Sequence, residues 1–218
     1  DALGRIFENP RRPLVAILGG AKVSDKLGLV EHLLDRVDRL LIGGGMAFTF
    51  LAGLGYGIGR SLVEPDRVSS ARALLDRARA RGVAVGLPVD VVVAPSLDST
   101  DNIRTVGIRE IPAALMGLDI GPATVHQFAA ALKGSATVLW NGPMGVFEKP
   151  PFAAGTVGVG KAVAECGAFS VIGGGDTIAA VQAAGVTSRI GYISTAGGAF
   201  LEFLEGRALP GVAALDDA

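Results

Sequence analysis

Short apolar runs alternate along the chain with longer amphipathic stretches. Leu14–Leu18 is an unbroken apolar run ended by Gly19-Gly20, the pattern of a strand buried on both faces. Over residues 24–37 the apolar positions Leu27, Val30, Leu33, Leu34 and Val37 recur at helical spacing. Arg39–Ile42 predicts a second strand, followed by Gly43-Gly44-Gly45 and a helix starting near Met46. Residues 64–81 predict a charged helix with Pro65 in its first turn and Gly82 just past its end. Residues 83–87 and 89–93 read as strands separated by Pro88, and the polar stretch 96–109 as an exposed loop or β excursion. Further along, 122–133 predicts a helix, 136–140 a strand, 152–165 a glycine-weakened helix, 169–172 a strand, and 190–194 a last strand before a helix through Leu204.

Strands alternating with helices predict an α/β domain: a doubly wound, six-stranded, mainly parallel sheet with helices on both faces, a Rossmann-like three-layer arrangement. In such sheets ligands bind outside the carboxyl ends of the strands. Those ends are where glycine collects, at Gly19-Gly20, Gly43 to Gly45, Gly142 and Gly145, Gly173 to Gly175, and Gly197-Gly198. Twelve of the 32 glycines fall in these five loops, where backbone N–H groups and helix N-termini can meet an anion.

Composition narrows the function classes. The chain has 218 residues, half of them hydrophobic, with 20 basic against 21 acidic side chains. That is a globular chain with a proper core and no overall charge suited to nucleic acid. One cysteine excludes a disulfide framework, and two histidines, His32 and His126, leave no histidine-built metal cluster. Residues 40–59 carry no charge, but seven of these twenty are glycine, which disfavours a membrane helix. With no signal-peptide pattern at the N-terminus, the expectation is a cytoplasmic protein with no membrane partner.

Neither standard phosphate fingerprint is present. Walker A spacing fails at Gly19 to Ser24, and GxGxxG fails because Phe48 and Ile178 stand where its last glycine would be. The charged residues in the loops nevertheless suit an anion. Lys22 and Lys26, two of only five lysines, are spaced i, i+4, which on a helix puts both on one face toward the cleft. They read either as solvated surface lysines or as compact charges for a moving phosphoryl group. Asp176 reads as an N-cap or a Mg²⁺ carboxylate. Thr177 beside it reads as a hydroxyl next to a phosphate, and Glu148 as a surface glutamate or a ribose acceptor. His32, His126, Cys166 and Trp140 read as structural.

Seven segments, in order, resemble the motifs of one family. They are Ile17-Leu18-Gly19-Gly20-Ala21-Lys22-Val23-Ser24-Asp25-Lys26, then Leu41 to Ala47 with Phe50-Leu51, then Leu87-Pro88-Val89-Asp90, and Met116 to Pro122. Trp140-Asn141-Gly142-Pro143-Met144-Gly145-Val146-Phe147-Glu148 is the most distinctive, and Gly173 to Thr177 and Ile193 to Ala199 complete the set. The chain thereby resembles the nucleotide-binding, C-terminal half of phosphoglycerate kinase.

The resemblance implies Mg²⁺ with ADP or ATP on this chain, 3-phosphoglycerate or 1,3-bisphosphoglycerate on an absent N-terminal domain, and a monomer. It assigns residues 1–13 to the end of an interdomain helix, 14–205 to the nucleotide domain, and 206–218 to a tail returning toward the other domain. It gives Lys22 and Lys26 the nucleotide phosphates and the transferring phosphoryl group, with Gly197 and Gly198 facing that group. Gly43, Gly44, Gly117, Leu118 and Val146 would form the adenine slot. Gly20, Ala21, Asn141, Gly142, Pro143, Gly174, Gly175 and Thr177 would lie along the nucleotide, Glu148 would hold the ribose, and Asp176 the Mg²⁺. Ala196 stands where the family usually has a first glycine, and the segment 152–167 reads as short and glycine-rich. A nicotinamide-dependent oxidoreductase and a non-catalytic folded module are the alternatives.

Overall fold

The computed structural model describes residues 10–196 together with 202 and 204–206. Gly197 and Gly198, residues 1–9 of the expected interdomain helix, and 207–218 of the expected tail lie outside the described residues.

The elements are β1 (Leu14–Leu18), α1 (Leu27–Leu33), β2 (Arg39–Ile42), α2 (Met46–Gly53), α3 (Val68–Ala80), β3 (Ala84–Gly86), β4 (Asp90–Ala94), β5 (Arg104–Gly107), β6 (Met116–Ile120), α4 (Pro122–Leu132), β7 (Thr137–Asn141), α5 (Ala154–Glu165), β8 (Phe169–Gly173), α6 (Gly175–Ala183) and β9 (Tyr192–Ser194). Six strands form one sheet in the order β3-β2-β1-β7-β8-β9, every pair parallel. The order reverses between β1 and β7, so the switch-point crevice opens beyond the paired residues Leu18 and Asn141.

Alternation explains the unbroken apolar strands. Leu14, Ala16 and Leu18 face a core shared with Leu29 and Leu33 of α1, Phe50 of α2 and Leu74 of α3. Val15 and Ile17 face the opposite core with Phe128 of α4, Val159 of α5 and Val181 of α6. Helices therefore cover both sides of the sheet, which is the expected three-layer arrangement.

A second sheet is an addition to that expectation. Strands β5-β4-β6 form a three-stranded antiparallel sheet, with a register irregularity between Val92 and Val93. The turn at Leu87-Pro88-Val89 carries the chain from β3 in one sheet to β4 in the other. Residues 152–167 also hold a longer helix than their glycines suggest, because those glycines are contact points. A Cβ at Gly155 would lie 2.3 Å from Asp119 Oδ1, and one at Gly158 would lie 2.7 Å from Val125 Cγ1. Side chains there would push α5 off β6 and α4.

Two of the motif residues pin the small sheet to α4. The Asp90 carboxylate accepts from Ala123 N at 3.0 Å, Thr124 N at 2.7 Å and Thr124 Oγ1 at 2.6 Å. It thus satisfies orphan donors in the first turn of the helix, and Gly121 leaves room for it, since a Cβ there would lie 2.3 Å from Asp90 Cγ. Asp90→Ala is expected to lower stability by about 2 kcal/mol, read as a lower urea midpoint with an unchanged slope. An unchanged midpoint would remove this role.

Candidate functional site

The glycine loops at the carboxyl ends of β1, β2 and β7 pack on one another. Gly20 N donates to Pro143 O at 2.9 Å, Gly44 N to Met144 O at 3.0 Å, and Met46 N to Gly20 O at 3.0 Å. A Cβ at Gly19 would sit 2.1 Å from Pro143 O, and one at Gly44, where φ is +65°, would sit 2.6 Å from Gly20 N. Loop backbone approaching loop backbone, as much as backbone approaching a ligand, accounts for these glycines.

A cavity of about 360 Å³ opens beside the loops. Phe48, Leu62, Met116, Leu118 and Val146 give it apolar walls, and Gly20, Ala21 and Asp176 line it too. Gly44, Gly117, Pro143 and Glu148 also line it, so nine of the sequence-derived candidates meet in one cleft. Gly43 and Gly117 make room for protein: a Cβ on Gly43 would meet Met144 Sδ at 2.5 Å, and one on Gly117 would meet Phe48 Cζ at 2.0 Å. Phe48, Leu62, Leu97 and Met116 were not among the candidates. Leu62 and Leu97 are among the exposed large hydrophobics, but their separation in sequence gives no sign that they share a cleft.

Lys26 lies at the switch point. Its buried ammonium donates to Asn141 O at 3.1 Å and to Asn141 Oδ1. Burial pulls its pKa down from 10.5 to about 8, while Asp25 and then Asp176 oppose the shift. Lys22 is exposed in the loop before it, so the two lysines do not share a helix face. Residues 24–26 form a 3₁₀ turn and α1 begins only at Leu27. The cause is a long-range contact: Glu64 Oε2 accepts from Val23 N at 2.5 Å and Ser24 N at 3.0 Å, and Lys26 N closes on Val23 O at 2.9 Å. Burial alone would raise the Glu64 carboxyl. The hydrogen bonds from Ser24 and Val23, with the Lys22 charge, outweigh it and hold the group below its usual range.

Asn141, Gly142 and Thr177 tie the third and fourth loops together. Asn141 Nδ2 donates to Gly173 O at 2.7 Å, Trp140 Nε1 to Gly142 O at 2.8 Å, and Gly142 N to Thr177 Oγ1 at 2.6 Å. Thr177 is buried and already accepts that amide. Gly174, with φ +96°, precedes the first turn of α6, where Gly175 and Asp176 are exposed.

The fold and this loop cluster define a class: a doubly wound α/β domain whose switch-point crevice brings backbone amides, a buried lysine and a helix N-terminus to the end of an apolar slot. Within that class the chain belongs to the phosphoglycerate kinase family, whose model, described as "Phosphoglycerate kinase", matches residues 1–207. It is 57% identical over 216 residues to the phosphoglycerate kinase of Thermus thermophilus, covering 99% of this chain and 55% of that protein. The match to the Synechococcus enzyme is 54% identical and covers 53% of that protein. The structure of phosphoglycerate kinase from Coxiella burnetii superposes with a TM-score of 0.94 at 45% identity, over 97% of this chain and 55% of that one. The Pyrococcus horikoshii structure gives a TM-score of 0.85 at 36% identity, over 99% of this chain and 54% of that one. The chain spans about half the length of the curated relatives it matches. Family membership decides against the dehydrogenase alternative. Among the described residues, no helix is long and apolar enough to cross a membrane.

Proposed function

We propose that this chain is the nucleotide-binding half of a phosphoglycerate kinase, taking Mg-ADP or Mg-ATP at the carboxyl ends of β1, β2, β7 and β8. The observation that carries the reading is one cleft that joins apolar walls to Asp176, whose charge acts on the buried Lys26. A flat apolar slot suits adenine, and the charged end suits polyphosphate. Phe48, Leu118 and Val146 hold the base, Glu148 at the rim accepts from the ribose, and Lys22 and Lys26 meet the phosphates. Residues 14–205 make up this half, with 1–13 and 206–218 leading toward the other.

Asp176 is the residue that fits a Mg²⁺ ion. Its carboxylate is exposed in the first turn of α6, a hard oxygen donor with room for the waters and phosphate oxygens that such an ion keeps. Among the described residues no group of three or more metal-ligating side chains gathers, so the chain would supply this one ligand. The bound ion neutralises phosphate charge.

The whole enzyme would exchange a phosphoryl group between 1,3-bisphosphoglycerate and ADP, giving 3-phosphoglycerate and ATP. An acyl phosphate is already activated, so the ADP oxygen needs no general base. What the reaction needs is positioning and charge stabilisation, and Lys26 supplies the charge at the switch point. The phosphoglycerate would bind the half that this chain does not span, so the chain alone would bind nucleotide with little or no turnover. The whole protein, this half joined to the other, would act as a monomeric, cytoplasmic glycolytic enzyme. Titration calorimetry with Mg-ADP and Mg-ATP is expected to show saturable binding; no heat from either at millimolar nucleotide would overturn the reading.

A further inference from the structure

Resting on the nucleotide reading above, we propose that Glu64 is a positioning residue that sets the lysine loop, residues 22–26, against the phosphate end of the cleft. Glu64 comes from a strap that touches both ends of the site. At one end Arg60 N donates to Leu115 O at 2.7 Å, and Ser61 Oγ accepts from Gly117 N at 2.9 Å, beside the apolar slot. In the middle Leu62 packs over the second glycine loop, 3.1 Å from where a Gly45 Cβ would lie. At the other end Glu64 N is hydrogen-bonded to Thr49 Oγ1 of α2 at 3.2 Å, and the carboxylate grips Val23 N and Ser24 N.

Two amides at the start of the 3₁₀ turn are therefore taken by a protein carboxylate. In a Walker-type loop such amides would meet phosphate. With Val23 and Ser24 occupied, phosphate recognition falls to the lysines and the remaining loop amides, and the placement of Lys22 and Lys26 depends on the grip. Charge-assisted bonds to N–H groups are short and directional, so the grip fixes geometry as well as charge. The contact reaches 40 residues back in sequence to backbone atoms, which distinguishes it from a surface ion pair with Lys22 alone. A positioning shell of this kind decides how closely a binding group is held.

The test compares the 218-residue chain with Glu64→Ala and Glu64→Gln, using Mg-ADP by calorimetry and adenosine by ligand-observed NMR. Loss of a positioning shell is expected to weaken ADP on the order of tenfold in Glu64→Ala while leaving adenosine unchanged. Glu64→Gln, which keeps an acceptor without the charge, is expected to recover part of the loss, and it carries the same comparison if the alanine variant does not fold. Unchanged ADP affinity would overturn the proposal while leaving the nucleotide reading intact. Equal losses of ADP and adenosine would mark general damage and overturn it too. A parent chain that binds neither probe would remove both readings.

Discussion

Lys26→Ala is expected to lower turnover about 10³-fold, the scale of removing one preorganised charge from a phosphoryl-transfer site. The measurement needs a protein that carries this chain together with the half its relatives add. Nucleotide affinity should fall much less, because Lys22, the loop amides and the apolar slot remain. The split follows from geometry. The Lys26 ammonium sits at the β1–β7 crevice on Asn141, whereas Phe48, Leu118 and Val146 line a cleft that Lys26 does not line. Burial has already brought its pKa down to about 8, so the charge is present at neutral pH and is lost with rising pH. Bound phosphate, being anionic, moves that loss upward. The parent enzyme should therefore show an alkaline limb above pH 8 that the alanine variant lacks. A collapse of affinity with unchanged turnover per bound complex would refute this role.

The lowered lysine also bears on stability. Between about pH 8 and 10.5 the unfolded chain holds the proton and the folded chain does not, so stability rises with pH across that window. At lower pH the fold carries a buried ammonium at a cost of roughly 3 kcal/mol. A charge held ready for a phosphate at the expense of the free fold is a familiar trade at binding sites.

Much of the large sheet was legible because its strands are buried on both faces. Leu14–Leu18 and Phe169–Gly173 are near-continuous apolar runs for that reason. Strand β6 was not legible as a strand: Met116-Gly117-Leu118-Asp119-Ile120 carries a glycine and a buried carboxylate where an apolar pattern would be sought. Nor could a run such as 89–93 say which sheet it joins; that depends on the turn at Pro88. The lysine spacing misled for a similar reason. An i, i+4 pair implies one helix face only if the helix has begun, and Glu64, a residue remote in sequence, delays that start. The slot walls Phe48 and Leu62 were missed because they are ordinary apolar residues that become a site only through long-range packing.

The motif residue with the largest expected effect on the fold is Asp119. It is a buried residue of the cleft lining, with Oδ2 accepting from Gly155 N at 2.7 Å and Oδ1 from Ile120 N at 2.9 Å. Its carboxylate packs so tightly on the third loop that a Cβ at Gly145 would come within 2.2 Å of Oδ1. Burial, which favours the neutral acid, outweighs those two hydrogen bonds and raises its pKa from 3.8 to about 7. The folded chain thus holds a proton that the unfolded chain has lost between those values. The contribution is full below pH 3.8 and disappears as pH rises through 7, a decline of roughly 4 kcal/mol for this one group. Urea midpoints measured from pH 4 to 8 should carry that decline in the parent chain, and Asp119→Asn, neutral throughout, should flatten it. Matching slopes in the two proteins would mean that Asp119 is ionised inside the fold across this range. Above pH 7 a buried charge held only by two amides would sit against Gly145, and the next residue is tied to β6 by the 2.9 Å bond from Val146 N to Leu118 O. The same asparagine variant should therefore also make the affinity of the apolar slot for adenosine less dependent on pH.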